Sequence, residues 1–149
     1  MSTIRDIIRG VTWRVGRRLY CAARFEQAND PRRNGEYWLL EHVSRLPYSM
    51  GAAMLDVGAN VGMWTSRAAV ELQRNHQPTI VHSFEPAAAT FATLALAVAG
   101  RGNVVTHNLA LSDRSGVATF YVSGENLGTN SFQPVSGAAT QMVATATID

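Results

Sequence analysis

The stretch Met54-Leu55-Asp56-Val57-Gly58-Ala59-Asn60-Val61-Gly62-Met63-Trp64 limits what this chain can fold into more than any other part of it. An apolar run carrying one acid leads into a turn with two glycines and an asparagine. Beyond the turn, Val61, Trp64, Ala68, Ala69 and Leu72 recur on one face of a helix. The run Ala53–Val57 is apolar apart from Asp56, as expected of a strand buried on both faces. The unit then repeats. A polar loop at 74–78 leads to a β-branched run at 79–84 that ends in Glu85-Pro86, and proline stops the strand and suits the first turn of the next helix. Phe91, Leu94, Ala95 and Val98 give that helix its apolar face, Gly100 or Gly102 ends it, and Val104–His107 reads as a third strand. Such alternation predicts an α/β fold of Rossmann-like type, with a mostly parallel sheet and flanking helices.

The segment before this pattern has a different character. Ile4, Ile7, Ile8, Val11, Val15 and Leu19 recur at three- and four-residue steps, the mark of an amphipathic helix, and Arg5, Arg9, Arg14, Arg17, Arg18 and Arg24 face a single acid, Asp6. A helix of this kind can lie on an anionic membrane or on nucleic acid. Packing the stripe on the domain or on a partner is the expectation here, with no nucleic acid involved. Residues 29–35 form a polar, turn-rich break, and a second helix is predicted over 36–45, ending before Pro47. The division expected is an N-terminal helical segment, 1–48, and a cofactor-binding domain, 49–149. A chain of 149 residues, 46% hydrophobic and 16% charged, has room for one such domain with a real core.

The single cysteine, Cys21, excludes an intramolecular disulfide and suits a reducing compartment. No apolar run approaches the ~20 residues that span a bilayer. No signal-peptide pattern stands out. A cytoplasmic location without an integral membrane segment is therefore expected.

In sheets of this kind ligands bind beyond the carboxyl ends of the strands, where Asp56, the 58–62 turn, Glu85 and the 108–110 segment converge. A dinucleotide site wants G-x-G-x-x-G, with the second glycine admitting the pyrophosphate. Here Asn60 holds the second glycine position and Met63 the third. A phosphate-binding G-K-[ST] loop is excluded because the chain has no lysine. Glu85 is placed to accept hydrogen bonds from two ribose hydroxyls, so a nucleoside cofactor without a pyrophosphate fits best. An NAD-dependent oxidoreductase is a distant alternative.

In order along the chain, NGEYWLL, MLDVGANVGMWTS, VHSFEP, NLALSD, GTNSF and ATID resemble class I S-adenosylmethionine-dependent methyltransferases, and within them the FkbM type. The resemblance runs from Asn34 to Asp149. It implies a Rossmann-like class I methyltransferase fold in which residues 56–62 hold the methionine part of S-adenosylmethionine, Glu85 the ribose, and 108–113, including Asn108 and Ser112, the adenine edge. The free N–H groups of the helix after Gly62 suit the methionine carboxylate, and Gly58 and Gly62 let the main chain come close. Asp56 can accept from the ammonium directly or through water. Each residue also has a structural reading: glycines and Asn60 shape turns, Asp56 caps a helix, and Asn108, Ser112 and Asp113 populate ordinary turns.

Residues 112–116 are turn chemistry, and Gly116–Val122 with 141–148 are predicted as further strands. The loop 124–131 resembles the family's loop near the cofactor mouth, with Asn130 and Ser131 as candidates for touching substrate. His82 and His107 are spaced for no metal site, and none is expected. The implied reaction is methyl transfer to a hydroxyl of a small-molecule or glycan acceptor, such as a sugar or natural-product scaffold; no residue is assigned as the base. The chain stops at Asp149, where family members continue with a further strand bearing a K-I-D-V-E-G-like motif. The expected fold is therefore C-terminally truncated, with an open sheet edge and an uncovered apolar face. Completion by another chain, or an inactive remnant that binds cofactor weakly or not at all, are the alternatives to a working methyltransferase.

Overall fold

The computed structural model describes residues 4–24, 30–48, 51–122, 130–134 and 136–149. The chain divides into two compact units, Met1–Leu40 and Glu41–Asp149.

In the first unit, α1 (Ile4–Ala23) is a 20-residue helix that carries the N-terminal apolar stripe. The stripe is exposed: Ile4 is 77% and Leu19 67% accessible. Of the predicted break, Asn29 lies outside the described residues. The remainder is a turn in which the N–H groups of Arg33 and Asn34 donate to the Asp30 carbonyl. Asn34 Oδ1 then accepts from the Glu36 N–H at 3.0 Å, at the start of α2 (Glu36–Val43). That helix ends two residues earlier than predicted. Arg45 and Leu46 donate to the His42 and Val43 carbonyls in a tighter turn, because the residue before Pro47 is disfavoured in helical geometry.

The second unit is built on a parallel three-stranded sheet in the order β1 (Ala53–Val57), β2 (Ile80–Phe84), β3 (Val104–His107). The pairing sets Asp56 beside Ser83 and Phe84 beside His107. Helices α3 (Met63–Arg74) and α4 (Ala88–Ala97) follow β1 and β2. Pro86 lies ahead of α4 and Ala87 is its N-cap, so the proline ends the strand but does not enter the helix. Ala68, Ala69 and Leu72 of α3 are fully buried, as is Leu94 of α4, which packs with Ala59 and Val98 and against Phe91 and Val104.

Both helices cover the same face of the sheet. Ser83 Oγ, on that face, donates to Thr65 Oγ1 of α3 at 3.1 Å. Val104, paired with the buried Val81, packs against α4. The opposite face carries Leu55, Val57, Ile80, Phe84 and Val105, and no described element covers it. Val57 is 57% and Leu55 41% exposed. Burial of β1 on both faces is thus not what the structure shows, while the open edge of β1 and the bare apolar face are. On that face His82 Nδ1 and His107 Nε2 lie 3.0 Å apart, and the Phe84 ring stacks on His107 at 4.6 Å between centroids. One ring of such a pair must offer a bare nitrogen to the other. Burial and the neighbouring His82 accordingly hold His107 below its ordinary pKa.

The chain then makes a second, mixed sheet of β4 (Ala110–Leu111), β5 (Gly116–Val122) and β6 (Ala139–Ala146), with β6 in the middle, parallel to β4 and antiparallel to β5. Strand β6 starts two residues before the predicted span and ends before it, since its register follows the pairing of Val122 with Ala139. Phe120, Val143, Ala110 and Ala87 form the core beneath this sheet.

Candidate functional site

The C-terminal ends of β1 and β2 open into a cavity of about 310 Å³, at the small end of the range of ligand pockets. Val57, Gly58 and Asn60 line it from the first turn, Phe84, Glu85 and Pro86 from the second, and Ala110 and Leu111 from β4. Phe120, Asn130 and Phe132 complete the wall.

Among the described residues, Glu85 is the one acid on this wall. Its residue is 5% exposed, yet its carboxylate is well partnered. Oε2 accepts from the Asn60 N–H at 3.0 Å and Oε1 from the Ala87 N–H at 2.9 Å, so the side chain clasps the two turns that follow β1 and β2. An ionised carboxylate has about four acceptor positions, and two remain for a ligand. Burial pushes the Glu85 carboxyl above its ordinary pKa, the two backbone N–H groups oppose that shift, and the nearby Asp56 charge adds to it. The position of Glu85 directly after β2, whose last residue Phe84 pairs with Val57, thus brings it to the 58–62 turn.

The first turn is shaped by backbone conformation. Gly58, Asn60 and Gly62 have φ of 76°, 50° and 81°, all left-handed, which glycine and asparagine tolerate. The N–H groups of Gly58 and Ala59 both donate to the Phe84 carbonyl at 3.0 Å. A Cβ at Gly58 would meet nothing within 4 Å, so that face of the turn is open to the cavity. Gly62 differs: a Cβ there would lie 2.8 Å from Leu94 Cδ1 and 3.6 Å from Ala97 Cβ. Its missing side chain makes room for α4, and Gly62 does not line the cavity.

Asn60 lines the cavity, and its Oδ1 is buried with no hydrogen-bond partner among the described residues. An orphaned acceptor of this kind costs on the order of 1–3 kcal/mol unless a donor meets it. The first turn of α3 has no side-chain cap at Gly62. Asp56 stands off the cavity wall, under α3, where Oδ2 accepts a short hydrogen bond from the Thr65 hydroxyl. Thr65, completely buried, is a site-supporting residue that sequence reasoning missed; its place at the third position of α3, above Asp56, was the available signal.

Of the remaining candidates, Asn130 reaches the wall and Asn108, Ser112 and Ser131 do not. Asn108 Nδ2 donates to the Glu85 and Pro86 carbonyls at 2.8 and 3.2 Å and so fixes the backbone that carries Glu85. Ser112 sits in a turn, donating through Oγ to Asp113 at 3.1 Å and through its N–H to the Ala146 carbonyl. Ser131 pairs through its backbone with Tyr121, placing Asn130 and Phe132 at the cavity, whereas residues 124–129 of the expected mouth loop lie outside the described residues. The apolar wall was not read from the sequence. Phe120 and Phe132 meet edge to face at 5.1 Å, and only the Tyr121–Ser131 pairing puts them together. Among the described residues no cluster of three or more His, Cys, Asp or Glu is arranged to hold a metal ion.

Comparison with protein-family models, with curated proteins and with solved structures returns no match for this chain.

Proposed function

We propose that this cavity binds S-adenosylmethionine and that the chain belongs to a methyltransferase acting on a hydroxyl of a sugar or other small scaffold, of the FkbM type its motifs resemble. The observation that carries the reading is the position of the Glu85 carboxylate: on the cavity wall, 3.0 Å from the Asn60 N–H, with acceptor positions left for two vicinal hydroxyls. The residues present suit the cofactor in other respects. The open side of Gly58 admits a ligand against the main chain, and Asn60 lines the cavity beside it. The Phe120–Phe132 pair offers an apolar wall to a base ring. When bound, the cofactor supplies an electrophilic methyl group on a sulfonium.

The chain's own part is to hold donor and acceptor in line, which can account for much of the acceleration in such a transfer. A side chain at position 60, where a dinucleotide fold keeps glycine, disfavours a diphosphate. Calorimetric titration with S-adenosylmethionine and with NAD tests the reading. Heat with the first and none with the second is expected; heat with NAD alone would overturn it.

A further inference from the structure

Helix α1 places two kinds of side chain on separate sides. At 3.6 residues per turn, Ile4, Ile7, Ile8, Val11, Val15 and Leu19 fall within an arc of about 120°. Arg5 borders that arc on one side and Arg14 on the other, and Arg18 falls just inside it, beside Ile7 and Val11 on the helical projection. All six aliphatic side chains are at least half exposed, from Val11 at 50% to Ile4 at 77%. The helix's two aromatic residues lie on the opposite side. Trp13 is covered by the Arg17 guanidinium at 5.3 Å and Tyr20 by that of Arg24 at 5.4 Å. Among the described residues the aliphatic stripe is thus exposed, with Arg5 and Arg14 at its borders.

We infer that α1 is an interfacial helix that seats this chain on an anionic lipid surface, the aliphatic stripe entering the acyl boundary and the bordering arginines meeting lipid phosphates. Charge selects this occupant over the others. A second copy of α1 would cover the stripe only by bringing two helices of five arginines together, each offset by a single acid. Nucleic acid neutralises arginines but leaves the aliphatic side chains in water. An anionic bilayer meets both needs at once, and the long arginine stems at the borders reach the headgroups from a helix lying in the plane. The helix lies on the surface and does not cross it, since no described helix is long and apolar enough to span a membrane. This inference is independent of the cofactor reading.

Co-sedimentation of the full chain with phosphatidylglycerol-rich and with pure phosphatidylcholine vesicles tests it. Binding to the first, at least tenfold weaker binding to the second, and weakening by added salt are expected. The double substitution Val11→Asp/Val15→Asp should abolish sedimentation. Arg5→Gln/Arg14→Gln, which keeps the stripe and the helix, should weaken it by about fivefold per arginine. Circular dichroism of each variant guards against loss of the helix. No sedimentation of the native chain with anionic vesicles overturns the inference, as does sedimentation that survives the stripe substitution. A dimer in solution that the stripe substitution breaks, or tight binding to duplex DNA in place of vesicles, would overturn it too.

Discussion

Replacing Gly62 with alanine separates two roles that glycine can play in a ligand-binding turn. The native φ of 81° is left-handed, and an L-residue held there is strained by about 1–2 kcal/mol. The new Cβ would also lie 2.8 Å from Leu94 Cδ1, in a region where Leu94 is fully buried, so the leucine must shift inside a packed core. Overpacking of this kind costs about 1–3 kcal/mol. The stiffer unfolded chain offsets less than about 1 kcal/mol of this. A net destabilisation of roughly 2–4 kcal/mol is expected, or about 5–15 °C in Tm for a chain of this size. Gly58→Ala carries a similar dihedral strain, with φ 76°, but meets no atom within 4 Å. It should cost about 1 kcal/mol and act on ligand binding instead.

Urea denaturation of both variants, and of each combined with Leu94→Ala, measures the difference. In the Leu94→Ala background the excess cost of Gly62→Ala over Gly58→Ala should disappear. Equal costs in the native background, or a Gly62→Ala effect within about 0.5 kcal/mol of zero, would refute the packing role assigned to Gly62.

Two further expectations concern pH. Burial raises the folded-state pKa of Glu85 above the ordinary 4.5, so its contribution to stability is fully present below that value and is lost as pH rises through the folded pKa. The stability of the native chain relative to Glu85→Gln should therefore fall from acid to neutral pH in urea titrations; a rise would mean that the two N–H donors outweigh burial. For His107 the folded pKa is lowered, so its contribution is present above the ordinary 6.5 and is lost as pH falls below it. The native chain should lose stability relative to His107→Gln between neutral pH and about pH 5, and a flat difference would count against the bare-nitrogen pairing with His82.

What the sequence determined was local. The limits of β1 and β3, the left-handed turn at 58–62 and the buried face of α3 follow from apolar period and backbone preference, which neighbouring residues fix among themselves. Of the residues expected to converge at the strand ends, Gly58, Asn60, Glu85 and Ala110 do line the cavity, because parallel strands joined by helices deliver their carboxyl ends to one side, whereas Asp56, Gly62 and Asn108 do not. The tertiary structure alone decided how those residues are used. Nothing near Gly62 in the chain reveals that Leu94 needs its space, and nothing near Asn108 reveals that its amide is taken by carbonyls 22 and 23 residues away. The same holds for the aromatic wall, which depends on Ser131 pairing with Tyr121. Periodicity says that a side chain belongs to one face of an element. Which lone pairs and surfaces on that face are already occupied is set by partners distant in sequence, and those partners decide whether a residue supports the site or meets the ligand.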